Sequence, residues 1–412
     1  MPGVTDAPDD PAVAAAYHPA RAVVDLDAIA ANVGVLTGYA GGAAVMAVVK
    51  ADAYGHGLVP AARAALAGGA TWLGTAQVGE ALALRAAGVT APRLLTWLYD
   101  PAVPMDALLA ADVDVTVAAP WALDAVVDAA RRTGRTARVH IKVDTGLGRN
   151  GLPPADLHAL LPALAAAHAE GALELIGVWS HLAAADEPGN PLAHAQAAVL
   201  DDAVRALEAA GLPPQVRHLA NSAALLTDPR LRYDLVRPGI AVYGLTPAVS
   251  LGTSDRWGLT PAMTLEARLA TVKHLPAGHG ISYGHAYVTP ADTTVAVVPL
   301  GYADGIPRHA SGTADRPGGP VGVNGRVVPV AGRVCMDQVV LDLGPGATER
   351  AGDVVEVFGT GRDGGPTAED WAQRAGTIGY EIVTRVGSRI PRVHVGTAGR
   401  AGGPEATEGT DG

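Results

Sequence analysis

The 412-residue chain holds one cysteine, Cys335, and one phenylalanine. A lone cysteine closes no internal disulfide and offers no cysteine pair to a metal. A single Phe leaves the core to aliphatic side chains. No run approaches the roughly 20 uninterrupted apolar residues of a membrane helix. Dense basic tracts are also missing. The 30 Lys and Arg face 41 Asp and Glu, a net charge of −11, and phosphate backbones are held by cations, so no nucleic-acid partner is expected. The 13 histidines show no H-E-x-x-H or comparable spacing, so no metal is expected. Residues 1–10 carry Asp6, Asp9 and Asp10 and no basic region leading into an apolar run, which is not a secretory signal. The expectation is a protein of the reducing cytoplasm, with neither a membrane nor a nucleic acid as partner.

What is present points to folded domains. Hydrophobic residues make up 49% and charged residues 17%, which excludes disorder over the whole chain. The length suggests two or three domains. Short apolar runs at 44–50, 72–76, 93–98, 113–117, 137–144, 173–181, 216–220 and 234–243 alternate with Ala/Leu-rich helical stretches. Several runs are almost continuously apolar, as strands buried on both faces are. Eight such units over about 200 residues predict a (β/α)8 barrel of the TIM type; a doubly wound open sheet is the alternative.

After about Pro261 the pattern becomes strands separated by Gly and Pro turns, at 264–274, 293–300, 320–334, 339–343 and 354–358, with one helix at 368–374. Asn324-Gly325 between valine-rich flanks signals a two-residue hairpin. The fold class is therefore α/β, a barrel followed by a mostly β C-terminal domain.

Active-site residues of such barrels sit at the C-terminal ends of strands. That rule selects Lys50, Arg149, His181, Asn221-Ser222, and Arg237 with Gly239 and Ile240. A lysine ending a buried strand loses hydration, its pKa falls, and the neutral amine can form a Schiff base with an aldehyde. The plainer reading is a solvated lysine capping the strand. Ser222 follows the seventh strand and Gly239 and Ile240 lie at the eighth, where barrels commonly bind phosphate. Ser222 also suits a helix N-cap. The run Gly146-Leu147-Gly148-Arg149-Asn150-Gly151 satisfies the dinucleotide pattern G-x-G-x-x-G. Its strand is the fifth of a series, however, and Arg149 occupies a place where bare backbone should meet a pyrophosphate.

Val48-Val49-Lys50-Ala51-Asp52-Ala53-Tyr54-Gly55-His56-Gly57 resembles the pyridoxal-phosphate signature of alanine racemases. The resemblance runs from about 21 to 395 and includes residues 142–151, 179–182, 221–222, 237–240, 282–284, 301–305 and 332–338. It implies a strand at 21–27 joining the C-terminal β domain, a pyridoxal-phosphate-binding barrel at 28–250 and a mostly β domain at 251–396; composition, not the resemblance, marks 1–20 as a disordered extension and 397–412 as a disordered tail. It implies that Lys50 carries pyridoxal 5'-phosphate and that Arg149 meets the cofactor's phenolic oxygen and the substrate carboxylate. The hydroxyls of Tyr54 and Tyr380 would join Ser222, Gly239 and Ile240 at the phosphate.

Lys142 reads from the sequence as an ion pair with Asp144, but some members carbamylate the matching lysine, and the carbamate then holds the arginine. Arg237 would face the pyridine nitrogen, oriented by His181. A permanent cation there opposes a second positive charge and weakens the ring as an electron sink, which favours racemisation over transamination.

Tyr283, by itself an ordinary turn residue, becomes the second base opposite Lys50. Met336 would offer its backbone N–H to the substrate carboxylate, and Tyr302 would restrict the pocket to a small side chain. Tyr283 and Met336 would reach the neighbouring subunit's site in a head-to-tail homodimer. Cys335 is expected to be a small buried residue. The implied function is interconversion of L- and D-alanine, supplying D-alanine for peptidoglycan. The alternatives are a decarboxylase of a basic amino acid, a broader-specificity racemase and a non-catalytic pyridoxal-phosphate carrier.

Overall fold

The computed structural model describes residues 18–399 apart from residue 188. Most of the two terminal segments expected to be disordered lies outside the described residues. At their inner margins the chain is tied down. Ala20 opens the first strand, β1 (Ala20–Asp25). Thr397 and Ala398, expected in the tail, donate backbone N–H groups to Asp27 at 2.9 and 2.7 Å.

The eight apolar runs form strands β2 (Ala44–Val48), β3 (Trp72–Gln77), β4 (Arg93–Leu98), β5 (Asp114–Val117), β6 (Ala137–Lys142), β7 (Leu173–Trp179), β8 (Val216–His218) and β9 (Leu235–Val236). Each pairs parallel with its neighbour, in the order β8-β7-β6-β5-β4-β3-β2-β9. Sequential order without reversal excludes the doubly wound sheet, whose order reverses at a switch point. Asp234 and Arg217 exchange hydrogen bonds where β9 comes round to β8, so the barrel is nearly closed. The run at 234–243 gives only a two-residue strand. Pro238 lacks an N–H, and the chain turns at Ile240–Tyr243 into a short 3₁₀ helix.

The crossover helices are built from local signals. Asp25 caps Leu26–Ala40 by accepting from the N–H groups of Asp27 and Ala28, and Gly41 ends that helix at φ +63°. Pro120–Thr133 begins on a proline at its first position and buries Leu123, Val126 and Ala130 at helical spacing.

The C-terminal domain holds β10 (Met263–Arg268), β11 (Thr271–Leu275), β12 (Gly280–Ile281), β13 (Tyr287–Val288), β14 (Thr293–Val298), β15 (Pro320–Val323), β16 (Arg326–Pro329), β17 (Val339–Gly344), β18 (Val354–Phe358) and β19 (Arg392–Val395). They make a six-stranded sheet, β16-β15-β18-β10-β1-β19, a three-stranded sheet, β11-β14-β17, and the pair β12-β13. β1 runs antiparallel to β10 and parallel to β19. The segment expected as one strand at 264–274 is two strands in different sheets. Leu269 donates to Asp353 on one side and Ala270 to Val297 on the other, which hands the chain across. Asn324 and Gly325 adopt φ +44° and +77°, the geometry of a type I′ hairpin turn.

Candidate active site

The C-terminal ends of the barrel strands open on a cavity of about 420 Å³. Lys50, Lys142, Arg149 and Arg237 line it together with His181, Tyr54, Ser222, Gly239, Ile240 and Tyr380. Each strand end delivers one part. Lys50 follows β2, Lys142 ends β6, Arg149 lies in the next loop, and His181 follows β7. Ser222 comes after β8, and Arg237, Gly239 and Ile240 come after β9.

Lys50 enters on an unusual turn. Ala51, Asp52, Ala53 and Tyr54 all lie near φ +54°, one turn of left-handed helix, a conformation costing roughly 1–2 kcal/mol per residue. Surrounding bonds hold it there. Glu80 accepts from the Ala51 N–H at 2.5 Å and from Ala76 and Gln77. Asp52 accepts from Leu58 at 2.7 Å, and Arg392 donates to the Gly55 carbonyl at 3.1 Å. The turn points Tyr54 back beneath Gly239. A Cβ at Gly239 would stand 2.3 Å from the Tyr54 hydroxyl.

Burial and then Arg149 lower the Lys50 amine, against the opposing pull of Glu80. For Lys142, burial and the cations Arg237, Arg149 and Lys50 bring the pKa down to about 7. Its ammonium lies 4.4 Å over the Trp179 ring. The expected contact with Asp144 does not form. Asp144 instead accepts from the Gly146 and Gly148 N–H groups and shapes the Arg149 loop. That loop brings an arginine into the cavity, so its glycines serve a turn rather than a dinucleotide.

Arg237 corrects one expectation. Its guanidinium donates to His218 Nδ1 at 3.2 Å and to the carbonyls of Ser180 (2.7 Å) and Leu219 (3.3 Å), and it lies 4.7 Å over the Trp179 ring. His218, not His181, orients it. Burial lowers Arg237 to about 9, which leaves it charged at neutral pH. Behind it, His218 Nε2 lies 3.0 Å from His140 Nδ1, and His140 Nε2 lies 3.3 Å from Asp114. Gly177 makes room for this row, since a Cβ there would meet the His140 ring at 2.4 Å. His181 faces the cavity, and burial and the four cations hold its imidazole well below the ordinary value, hence neutral.

Ser222 is not the N-cap. Asn221 caps the helix Ser222–Thr227 by accepting from Ala224. The Ser222 hydroxyl instead accepts from Gly239 at 2.9 Å and Ala241 at 3.3 Å. Burial raises the phenols of Tyr54 and Tyr380, so both stay protonated donors. His218, His140 and Asp114 escaped the sequence reading, and Trp179 entered it only as part of the matched run 179–182, with no role of its own. The one available signal was a polar side chain on an otherwise apolar barrel strand.

Tyr283, Tyr302 and Met336 lie elsewhere. They are exposed at 69%, 40% and 53% on the C-terminal domain, and none lines the cavity of its own chain. They share one surface region. Ser282 donates to the Arg333 carbonyl at 2.8 Å, and Tyr302 donates its N–H to the Cys335 carbonyl at 3.0 Å. Cys335 is half-buried rather than buried.

Comparisons with known proteins agree with this geometry. Residues 24–247 match the family model for the alanine racemase N-terminal domain, and 262–394 match that for the C-terminal domain. An alanine racemase of Beutenbergia cavernae is 62% identical over 92% of this chain and 98% of its own. A crystal structure of alanine racemase from Streptomyces lavendulae superposes with a TM-score of 0.89 at 54% identity, covering 92% of this chain and 98% of that one. Another, from Bacillus anthracis with bound L-Ala-P, gives 0.81 at 36% identity over 93% and 96%. No helix among the described residues is long and apolar enough to cross a membrane. Strand-end chemistry, barrel, second domain and relatives agree: the chain belongs to the alanine racemase family, isomerases that interconvert L- and D-alanine.

Proposed function

We propose that this chain racemises alanine with pyridoxal 5'-phosphate and two bases, Lys50 and Tyr283, in a head-to-tail homodimer. The observation that carries the reading is the cavity itself. Four basic side chains, Lys50, Lys142, Arg149 and Arg237, line it together with three hydroxyls, those of Ser222, Tyr54 and Tyr380, a set that asks for an anionic, phosphate-bearing occupant. Lys50 would hold the aldehyde, and Arg149 the phenolic oxygen and the substrate carboxylate. Ser222, Tyr54, Tyr380 and the backbone N–H of Ile240 would hold the phosphate, while the Gly239 N–H, expected there too, is taken by the Ser222 hydroxyl and orients it. When bound, the cofactor supplies an aldehyde for an amine to join and an electron sink beside the substrate's Cα.

The chain's own residues do the proton work. Burial and Arg149 favour the neutral form of Lys50, so Nζ can accept the α proton from one face. By family analogy that is the D face. The Tyr283 hydroxyl of a second copy serves the L face, and reversing the reaction exchanges the two roles. Arg237 cannot surrender its charge at working pH, so it limits how far negative charge spreads and favours early return of the proton over transamination. Tyr302 and Met336 of the second copy would narrow the site and meet the carboxylate.

Lys142, with its pKa near 7, is poised to attack carbon dioxide. An N–C bond forms, one proton leaves, and the resulting carbamate attracts Arg149 where an ammonium would repel it. We place the enzyme in the cytoplasm, supplying D-alanine for peptidoglycan.

The test is incubation with L-alanine, with and without borohydride pretreatment, followed by chiral analysis and mass spectrometry. Appearance of D-alanine, its loss on pretreatment and an adduct on Lys50 are expected. An adduct on another residue, or none, overturns the reading.

A further inference from the structure

Tyr302 and Met336 stand on two loops that no regular sheet joins. Backbone bonds zip the loops together. Tyr302 donates to the Cys335 carbonyl and Ala303 to the Met336 carbonyl, both at 3.0 Å. The approach is close enough that a Cβ at Gly301 would stand 2.3 Å from both carbonyl oxygens.

A third segment clips the pair from behind. Arg389 donates through Nε to Asp304 at 2.5 Å and through Nη2 to Asp337 at 2.5 Å. Asp304 lies two residues after Tyr302 and Asp337 directly follows Met336. Asp304 is almost wholly buried, and its other oxygen accepts from the Gly301 N–H at 2.8 Å. One guanidinium therefore fixes the stems of both loops, a task for a rigid planar fork rather than a point charge.

We propose that Arg389 is a positioning residue for the neighbouring protomer's site. By clamping these stems it sets the room that Tyr302 and Met336 leave for the substrate's side chain and carboxylate. The inference rests on the reading that these residues act in the second copy's site. Arg389 touches no group of its own chain's cavity, so its effect falls on substrate fit and not on cofactor retention.

The test uses the full-length holoenzyme carrying Arg389→Met, Arg389→Lys or Asp337→Asn. Misplacing a loop by about 1 Å at a site of this kind costs up to about a hundredfold. For Arg389→Met the expected result is a KM for alanine raised about tenfold or more, weaker discrimination against serine, and unchanged cofactor content and absorbance. Arg389→Lys recovers part of the loss, because an ammonium reaches one carboxylate and not both. Asp337→Asn, which breaks only the outer arm, shifts KM in the same direction by less and covers the case in which Arg389→Met does not fold. Unchanged KM and selectivity in the variants that fold overturn the proposal.

Hybrid dimers decide where the clamp acts. In a mixture of Arg389→Met and Lys50→Ala protomers, the one working site takes Lys50 from the first and an intact clamp from the second, so parental KM is expected. A KM that stays raised places the effect in the clamp's own chain and refutes the inference. A mixture of Tyr283→Phe with Lys50→Ala checks the underlying reading separately. Failure of that pair to regain turnover shows that the site is not shared, and the proposal falls with it.

Discussion

Nη1 of Arg237 lies 3.2 Å from Nδ1 of His218, with both side chains buried. A guanidinium only donates, so Nδ1 must accept. That places the His218 proton on Nε2, where it is donated to His140 Nδ1, and the His140 proton on Nε2, facing Asp114. Every hydrogen in the row is fixed by its two ends. The Asp114 carboxylate thus acts as a distant counter-ion for the Arg237 charge. Asp114 itself is held by Arg93 at 2.9 Å and Arg138 at 2.5 Å near the opposite barrel mouth.

His218→Phe removes the acceptor and leaves the guanidinium one partner short in a dry site. Loss of such a supporting contact typically costs about 10–100-fold in activity. We expect kcat to fall in that range and half-reaction transamination to increase, measured as the pyridoxamine form accumulating per turnover. His181→Gln should leave that partition unchanged, because no hydrogen bond joins His181 to Arg237.

Lys142 predicts a dependence on pH and on carbon dioxide. Its pKa in the fold, about 7, lies below the ordinary 10.5, so the unfolded chain binds more protons between those values. Stability therefore rises with pH across that window, and the penalty is complete below about 7. In bicarbonate-free buffer, denaturant titrations of the parent and Lys142→Met should differ most below pH 7 and converge as pH rises. Adding bicarbonate at pH 8 should lower KM in the parent only. Intact-protein mass spectra under gentle conditions should show the added carbamate.

At Gly239 the constraint is space. A methyl group there would stand 2.3 Å from the Tyr54 hydroxyl and 3.0 Å from the ring carbon bearing it, so the phenol must leave its place. Gly239→Ala should weaken cofactor retention about tenfold or more, since losing one buried donor costs about 1–3 kcal/mol. Equilibrium dialysis of the cofactor reads this directly, and a dissociation constant equal to the parent's would remove Tyr54 from the phosphate site.

Tyr283→Phe removes one oxygen from a residue that is mostly exposed in a single chain. The fold and the cofactor's visible absorbance should survive, while turnover falls by about 10²–10⁴, the usual worth of a positioned acid or base. Racemisation at the parental rate would show that another group serves the second face.

Glu80 holds the left-handed turn after Lys50 by accepting from three backbone N–H groups. Glu80→Ala leaves these donors without their acceptor and frees a strained segment. We expect stability to fall by about 1–3 kcal/mol, read from denaturant midpoints, with a parallel loss of Lys50 reactivity toward pyridoxal phosphate.

The sequence limited the first half to a parallel α/β fold, because apolar runs alternating with amphipathic helices have few other ways to bury both faces of a strand, and the strand order then excluded the doubly wound sheet. The sequence also determined which side chains stand at the strand ends, since a residue closing an apolar run has nowhere else to go. Lys50 and Arg237 were legible for that reason, and Arg149 and Ser222 from the loops that follow β6 and β8. The tertiary structure alone decided who touches whom. The choice of His218 over His181 as the partner of Arg237 depends on β8, which ends in His218, lying beside β9, which leads into Arg237, and no local pattern carries that. The left-handed turn at residues 51–54 was likewise invisible, because Ala and Tyr disfavour positive φ and only Asp52 tolerates it; Glu80 and Arg392, distant in sequence, hold it together with the local bond from Leu58 to Asp52. The exposed grouping of Tyr283, Tyr302 and Met336 arises from three separated loops that hydrogen bonds and Arg389 bring to one face, a relation that exists only once the chain has folded.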